Sequence, residues 1–485
     1  MSETNTPKAA YMLHPDCASY RQGIFDVIRI FDPTFEWSVA EASDGEVSIP
    51  QIAVDRTSDQ WVVSIGTDQI KLESEGLDEN QCRKLLKQSV YQYFLALYGG
   101  QHPWGIMTGI RPTKIVHRYR DAALDNDTIK QTIMGEYFLA EEKADLLVEV
   151  TERQRPFLLS REQAKTSVSL YLSIPFCPTR CSYCSFPSFC LPKPQLQELY
   201  LDNLLAEWSG VTQALVQRGF HIQTVYIGGG TPSSLSAIQM DRLLSGIRQS
   251  VGNTLQEFTV EAGRPDTITK EKLQVMHDYG VDRISINPQT FSQATLDRIG
   301  RKHTVQDIFD VYHQARDIGF DSINMDLIAG LTGETVADFA HSLQQISVLK
   351  PENVTVHTLA IKRTAKLVRD DFDNAQANVV RSMYEQLHQW LGNEAYVPYY
   401  LYRQKQMIGD MENTGYCFPG KESLYNIQMM EERQTIFGLG VGSASKYVNP
   451  TDWTLTQTNN PKDLIFYNQR IDEIIEKKLK QIRIM

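Results

Sequence analysis

The chain lacks the features that would mark a secreted, membrane-spanning or nucleic-acid-coating protein. Its opening, Met1 to Ala10, is polar, without the basic and apolar regions of a secretory signal. No run of about 20 apolar residues occurs, so no spanning helix is expected. Positive charge is in deficit, with 48 Lys and Arg against 59 Asp and Glu and a net charge of −11. That balance argues against holding nucleic acid by bulk electrostatics. Cysteine is sparse, seven residues in 485. An odd count without a secretory signal does not suggest a disulfide framework. Low-complexity tracts and solenoid repeats are missing too. The expectation is a cytoplasmic globular protein with no nucleic-acid partner.

What is present is length and an uneven distribution of cysteine. At about 100–200 residues per domain, 485 residues make two to four domains. Three patterns follow one another. Residues 1–165 mix β-rich runs such as Gln60 to Ile65 with helical stretches at Asp78 to Leu97 and Asp127 to Arg155, ending in a linker over Pro156 to Thr166. Residues 166–360 alternate strand and helix patterns. The strand candidates are Val168–Ile174, Thr224–Ile227, Glu257–Glu261, Arg283–Ile286, Ser322–Leu327 and Val354–His357, separated by helical stretches such as Gln195–Arg218 and Val305–Ile318. Such alternation predicts parallel β/α units, here six, and a full eight-unit barrel would need two more. Residues 361–485 are less regular. They hold a helix near Asn374 to Trp390, a Tyr-rich strand at Tyr396 to Tyr402, a Gly-rich stretch at Gly438 to Gly442 read as a loop closing the open end, and a charged helix over Asp463 to Ile482.

Four of the seven cysteines fall between 177 and 190. Cys177, Cys181 and Cys184 have the spacing C-x3-C-x2-C directly after a strand. Three thiolates on one short loop can take three corners of an iron–sulfur cubane and leave the fourth iron open. The alternatives are three buried small side chains or a structural zinc, which normally takes four ligands and finds no second Cys or His pair downstream. Cys190 is unassigned and reads as an ordinary buried thiol.

The other strand ends are also chemically marked. The second leads into Gly228-Gly-Gly-Thr-Pro232, the third ends at Glu261, the fourth runs into Asn287-Pro-Gln289, the fifth carries Asp326 and the sixth ends at His357. In β/α barrels chemistry gathers at this end of the strands. The glycines either let backbone approach a ligand or make a tight turn. Glu261 and Asp326 each sit in an apolar strand, paired within the barrel or facing a cationic ligand. His357 reads as a core histidine.

The cysteine motif resembles that of the radical S-adenosylmethionine superfamily. The run from Tyr171 through Cys177, GGGTP, Val260-Glu261, Gln289-Thr-Phe291, Arg301 and Asn324 to Leu331 resembles its oxygen-independent coproporphyrinogen III oxidase family. Gly105 to Lys114, Arg403 to Met407 and Pro419 to Asn426 look like the HemZ branch. The resemblance implies a partial (β/α)6 radical SAM barrel with an N-terminal α+β domain and a C-terminal α+β extension. It implies a 4Fe–4S cluster on Cys177, Cys181 and Cys184, and S-adenosylmethionine contacts at Tyr171, Tyr183, Gly229, Gly230, Thr231, Glu261, Gln289, Arg301 and Asp326. It also implies a deoxyadenosyl radical that decarboxylates porphyrinogen propionates, fed by a flavodoxin- or ferredoxin-type protein.

Tyr171 and Arg264 are expected at the reacting centre. Arg264 and Arg301 could meet substrate carboxylates, or Arg264 could lie at the surface in the turn before Pro265. Two departures from the family's oxidases stand beside the cofactor: Phe186 where they carry a further Cys, and Ser173 where they carry His. The alternative is a haem-binding or haem-delivery protein of HemW type, with His303 or His357 as axial ligands. Gly438 to Gly442 lacks the acidic residue and βαβ context of a nucleotide fold.

Overall fold

The structure, a computed structural model, describes residues 20–31, 52–56, 60–65, 67–73, 75–100, 102–184, 188–360, 374–405 and 407–485. Met1 to Ala10 and Phe186, singled out above, lie outside the described residues, as do Cys17, Gln406 and 361–373 at the start of the C-terminal part. The chain divides into two compact units, Met1–Val148 and Glu149–Met485.

In the first unit the strands Ile52–Arg56, Gln60–Ile65 and Asp68–Glu73 form an antiparallel meander. Gln60–Ile65 alternates buried Trp61, Val63 and Ile65 with more exposed neighbours, the signature of a half-buried strand. That face joins one apolar core with Ile24, Phe25 and Val27 of the helix Arg21–Phe31 and with Leu86, Val90 and Phe94 of the helix Glu79–Tyr98. Asp78 caps the latter, and Gln81 closes a capping box. The single helix expected over Asp127 to Arg155 is two, Asn126–Tyr137 and Glu141–Gln154, because Phe138 adopts a left-handed conformation at φ 58° and ends the first. A Cβ on Gly105 would strike the carbonyl of Tyr137, so the motif Gly105 to Lys114 begins where only glycine fits.

The second unit is built on one sheet. Its strands are β1 (Ser167–Ile174), β2 (His221–Gly229), β3 (Glu257–Gly263), β4 (Arg283–Ile286), β5 (Ile323–Ala329), β6 (Asn353–Thr358), β7 (Val397–Tyr402), β8 (Asn413–Cys417), β9 (Thr435–Leu439), β10 (Ala444–Val448) and β11 (Leu455–Asn459). Their spatial order is β7-β8-β6-β5-β4-β3-β2-β1-β9-β10-β11. The strands β1 to β6 are parallel neighbours in sequence order, as the alternating pattern predicts.

The Gly-rich stretch departs from expectation. Gly438 and Leu439 end β9, which runs parallel to β1 in the register Thr435↔Val168 to Leu439↔Leu172. Only Gly440 to Gly442 turn, leading into β10. The stretch is therefore the end of a seventh parallel strand, Thr435–Leu439, and the turn that follows it. Gly438 is required there, because a Cβ would meet the backbone of Ala444. The segment expected as a linker also carries structure, with a 3-10 turn at Arg155–Phe157 and a short helix, Arg161–Ala164, capped by Ser160. The charged terminal helix is interrupted at Arg470 into Leu464–Gln469 and Ile471–Ile484. Among the described residues no helix is long and apolar enough to cross a membrane.

A parallel strand covered on both faces usually reads as a continuous apolar run. Here the strands alternate. Val168, Leu170, Leu172 and Ile174 of β1 are buried in one core with Leu204, Trp208 and Val211 of the helix Pro194–Gln217. Ser169 and Tyr171 belong to the opposite face. Phe258/Val260 against Thr259/Glu261, Met325/Leu327 against Asn324/Asp326, and Val354/Val356 against Thr355/His357 repeat the division. The apolar set packs beneath the helices, and the polar set lines a cavity.

Candidate functional site

The polar face of β1 to β6 encloses a cavity of about 380 Å³ that reaches from the cysteine loop down to Arg283 at the start of β4. Tyr171, Cys177, Cys181, Tyr183, Cys184, Gly229, Gly230, Thr231, Glu261, Arg264, Gln289, Arg301 and Asp326 all stand on its wall. The sequence scatters them over more than 150 positions; the parallel strands bring their ends together.

The cysteine loop is pinned from several sides. Phe176 and Cys177 pair with Phe189 and Cys190 and close the loop on itself. Gly230 N donates to Ile174 O at 2.8 Å, and Thr231 N to Phe176 O at 2.8 Å. A Cβ on Gly230 would lie 2.8 Å from Phe176 O and 2.9 Å from Cys177 Sγ. The absence of a side chain is thus what lets this turn lie against the cysteine. Thr231 Oγ1 reaches Cys177 Sγ at 3.5 Å.

Arg264 is not a surface residue: it is 4% exposed. Its Nε and Nη2 pair with the two carboxylate oxygens of Asp266, at 2.9 and 2.8 Å, while Nη1 donates to Thr179 O and Oγ1 and lies 3.9 Å from Cys181 Sγ. Every guanidinium nitrogen already has an acceptor, so Arg264 ties the cysteine loop to β3 and is not placed to receive a substrate carboxylate.

Arg301 is buried as well. Nη1 donates to Asn287 O at 2.7 Å and Nη2 to the Tyr183 hydroxyl at 3.2 Å. Burial opposes its charge, but Tyr183 and Cys181 outweigh that and raise its pKa. Tyr183 is pushed up by burial, with Arg301 pulling against it. Two guanidinium groups therefore stand beside the cysteines, which suits three thiolates and the anionic cluster they would carry.

Among the described residues no three His, Cys, Asp or Glu side chains converge on a single ion. A cubane asks for a spread set instead, because each thiolate binds a different iron. The thiols of Cys177, Cys181 and Cys184 are not in disulfides. The donor set fits a 4Fe–4S cluster. Cys190, expected to be buried, is exposed; the short pairing with Cys177 is through backbone and leaves its side chain outside.

Lower on the wall, Tyr226 Oη donates to Glu261 Oε1 at 2.6 Å. Burial pushes the Glu261 carboxyl up to about 7 despite this bond, with Asp326 adding to the rise. Asp326 behaves oppositely. Burial acts to raise it, yet His357 and the hydrogen bond from Asn324 Nδ2, 2.8 Å from Oδ1, hold it below its ordinary value. His357 Nε2 lies 3.7 Å from Asp326 Oδ2, and Nδ1 lies 3.2 Å from the Tyr402 hydroxyl. His357 is thus a cavity residue and not the core histidine expected. His303 is the enclosed one, fully buried and lowered to about 4 by burial and by Arg301, with no access for an axial-ligand role. Gln289 has φ 69°, a rare conformation for a non-glycine residue, and exchanges backbone hydrogen bonds with Asp326 O and Ile328 N at 2.9 and 3.0 Å. The β4 end is bent inward by this bridge, which sets Gln289 beside Asp326.

Sequence reading missed part of the wall. Thr259, Ser285, Asn324 and Thr355 line the cavity two positions before residues it named, and the period of two along a strand is the signal that would have found them. The same period reaches Arg283, two positions before Ser285, whereas Tyr399, Tyr400 and Asn426 carried no such signal, because their orientation depends on how the C-terminal strands and the helix Leu424–Glu431 pack.

A family profile described as the Radical SAM superfamily matches residues 171–346. The chain is 40% identical over 422 residues to the oxygen-independent coproporphyrinogen-III oxidase-like protein HemZ of Bacillus subtilis, covering 85% of this chain and 84% of that protein. It is 32% identical over 285 residues to the haem chaperone HemW of Lactococcus lactis, covering 57% of this chain and 69% of that one. The crystal structure of coproporphyrinogen III oxidase HemN from Escherichia coli superposes with a TM-score of 0.52 at 24% identity, over 64% of this chain and 72% of that one, a likeness of fold. The chain belongs to the oxygen-independent coproporphyrinogen III oxidase family of radical S-adenosylmethionine enzymes, on its HemZ-like branch, whose cofactors are a 4Fe–4S cluster and S-adenosylmethionine.

Proposed function

We propose that the protein is an oxidoreductase that decarboxylates porphyrinogen propionates to vinyl groups, in the manner of an oxygen-independent coproporphyrinogen III oxidase. The observation that carries this reading is the joining of the cysteine loop and the Glu261, Gln289, Arg301 and Asp326 strand ends on one cavity wall. Cys177, Cys181 and Cys184 hold the cluster. When bound, the cluster and S-adenosylmethionine supply a carbon radical able to take a hydrogen atom from the propionate. Gly229, Gly230 and Thr231 offer backbone and hydroxyl groups to a polar ligand, and Glu261 and Asp326 offer carboxylates to a cationic one. Tyr171 and Tyr183 present rings at the two levels of the site, and Arg264 keeps the loop in place. The reaction removes a hydrogen atom, carbon dioxide and one electron, the last going to an acceptor. A flavodoxin- or ferredoxin-type protein in the cytoplasm reduces the cluster. Residues 1–165 form a branch-specific domain, followed along the chain by the core at 166–360 and the extension at 361–485.

The HemW relatives favour a second reading, haem binding or delivery without decarboxylation. Phe186, two residues past Cys184, stands in line with it. Anaerobic turnover of coproporphyrinogen III by the reconstituted protein separates the two. Vinyl product together with 5′-deoxyadenosine supports the oxidase; stoichiometric haem binding with no vinyl product supports the carrier.

A further inference from the structure

The cavity has two ends, and the cofactor readings account for one. The deep end holds Arg283, Thr259, Ser285, Tyr399 and Asn426. Arg283 is 7% exposed. Its Nη2 donates to Lys421 O at 2.8 Å, its Nε lies 3.7 Å from Glu257 Oε2, beyond hydrogen-bonding distance, and its Nη1 has no hydrogen-bond partner. The ion pair with Glu257 offsets the charge, but a buried Nη1 donor without an acceptor is still costly.

Glu257 does not supply the missing acceptor. It already accepts from Ser423 Oγ at 3.0 Å, Leu424 N at 2.8 Å and Tyr425 N at 3.2 Å, at the start of the helix Leu424–Glu431. The other wall groups at this depth are neutral: Tyr399 accepts from Asn426 Nδ2 at 3.3 Å, and Ser285 faces the cavity two residues along β4 from Arg283. Arg264 and Arg301, the arginines expected to meet substrate carboxylates, stand at the cysteine end, where both Nη groups of Arg301 are engaged and only its Nε lacks a partner.

We propose that the deep end is a carboxylate subsite in which Arg283 receives one carboxylate arm of the substrate. A single guanidinium edge flanked by hydroxyl and amide groups suits one carboxylate. Arg283 lies four residues before Asn287, so about 13 Å of strand separates it from the cysteine end. A ligand anchored there by one arm presents its remainder toward the cluster. The oxidase reading supplies only the identity of the molecule that owns the carboxylate.

The test uses the full chain with its cluster reconstituted and two probes. Sodium propionate tests the subsite alone, by ligand-observed NMR. It should bind the wild type, about ten- to hundredfold more weakly to Arg283→Gln, and in between to Arg283→Lys. Propionate that ignores the wild type, or binds Arg283→Gln equally well, overturns the subsite. Coproporphyrin III and its tetramethyl ester test the owner by fluorescence quenching. Arg283→Gln should weaken the acid and leave the ester unchanged. If propionate behaves as expected and neither porphyrin binds, the oxidase reading fails and the subsite stands. Should Arg283→Gln not fold, Ser285→Val narrows the chamber instead, and unchanged propionate affinity in that variant overturns the proposal.

Discussion

The hydroxyl of Tyr226 on β2 donates to the carboxylate of Glu261 on β3 across 2.6 Å, at mid-height of the cavity. The two residues lie on adjacent parallel strands. Tyr226 also stacks on Tyr425, with centroids 4.3 Å apart, and the ring of Tyr171 on β1 lies 6.1 Å from that of Tyr226. The carboxylate is therefore backed by aromatic rings, and the donors Tyr226 and Gly229 N do not offset its burial, which dominates its acidity.

That acidity makes stability depend on pH. Glu261 titrates near 7 when folded and near 4.5 otherwise. Between those values the folded state binds the extra proton, so stability is full below about pH 4.5 and falls as pH rises to about 7. Glu261→Gln keeps an acceptor for Tyr226 and removes the charge. It should flatten this slope and, above pH 7.5, raise the stability of the ligand-free protein by about 1–2 kcal/mol, allowing for screening by water in the cavity. Thermal midpoints of both proteins from pH 4 to 8 measure it. Parallel curves would show that Glu261 is not the group responsible.

Arg264 predicts a separation between folding and cluster retention. Arg264→Met leaves Thr179 O without its donor and Asp266 without its partner, at about 2–3 kcal/mol. The loss falls at the cysteine loop, so iron per chain after reconstitution should drop more than the helical signal does. Iron content equal to wild type would show that the loop holds its shape without the clamp.

Gly230 and Gly135 make a matched pair. Gly230→Ala places a methyl group 2.8 Å from Phe176 O and 2.9 Å from Cys177 Sγ. Backbone must move, and reconstituted iron should fall sharply. Gly135 lies in the helix Asn126–Tyr137, and a methyl group there would meet nothing within 4 Å. Gly135→Ala should stabilise the first unit by about 0.5–1 kcal/mol, because the unfolded chain loses freedom. Iron analysis reads the first variant, and chemical denaturation followed by circular dichroism reads the second. Full iron in Gly230→Ala, or a Gly135→Ala midpoint below wild type, would contradict the pair.

The site was legible where local pattern carries it. The alternation of strand and helix patterns located β1 to β6, and the tight cysteine spacing located the loop that β1 leads into. What escaped depends on distant packing. Thr435 to Leu439 is a short apolar run before glycines, and nothing local says that it inserts beside Val168 to Leu172 as a parallel strand. Arg264 resembles a turn residue until Asp266 and Thr179 are seen around it. Cys190 looks like its three neighbours in sequence, yet it is exposed and is not among the residues that line the cavity. Arg283 opens β4, and only the start of the helix Leu424–Glu431 shows that Glu257 is already engaged.

The last helix should matter to the cysteine end although it touches none of its residues. Lys478 Nζ lies 2.6 Å from Glu207 Oε1, with both side chains buried. Glu207 also accepts from Gly440 N at 2.8 Å, Asn460 Nδ2 at 2.9 Å and the Tyr467 hydroxyl at 2.7 Å. Next to it, Tyr200 donates to Ser173 O at 2.5 Å and accepts from Val441 N at 3.2 Å. Ser173 stands four residues before Cys177, so the network couples the helix Ile471–Ile484 and the β9 turn to the end of β1. Removing one charge leaves the other buried and uncompensated. Lys478→Met should cost about 3–5 kcal/mol, and Glu207→Gln a comparable amount. Because both variants break the same interaction, the double variant should lose clearly less than the sum. Denaturant midpoints for the four proteins give the coupling directly, and strict additivity would show that the pair acts through its other hydrogen bonds and not through its charge.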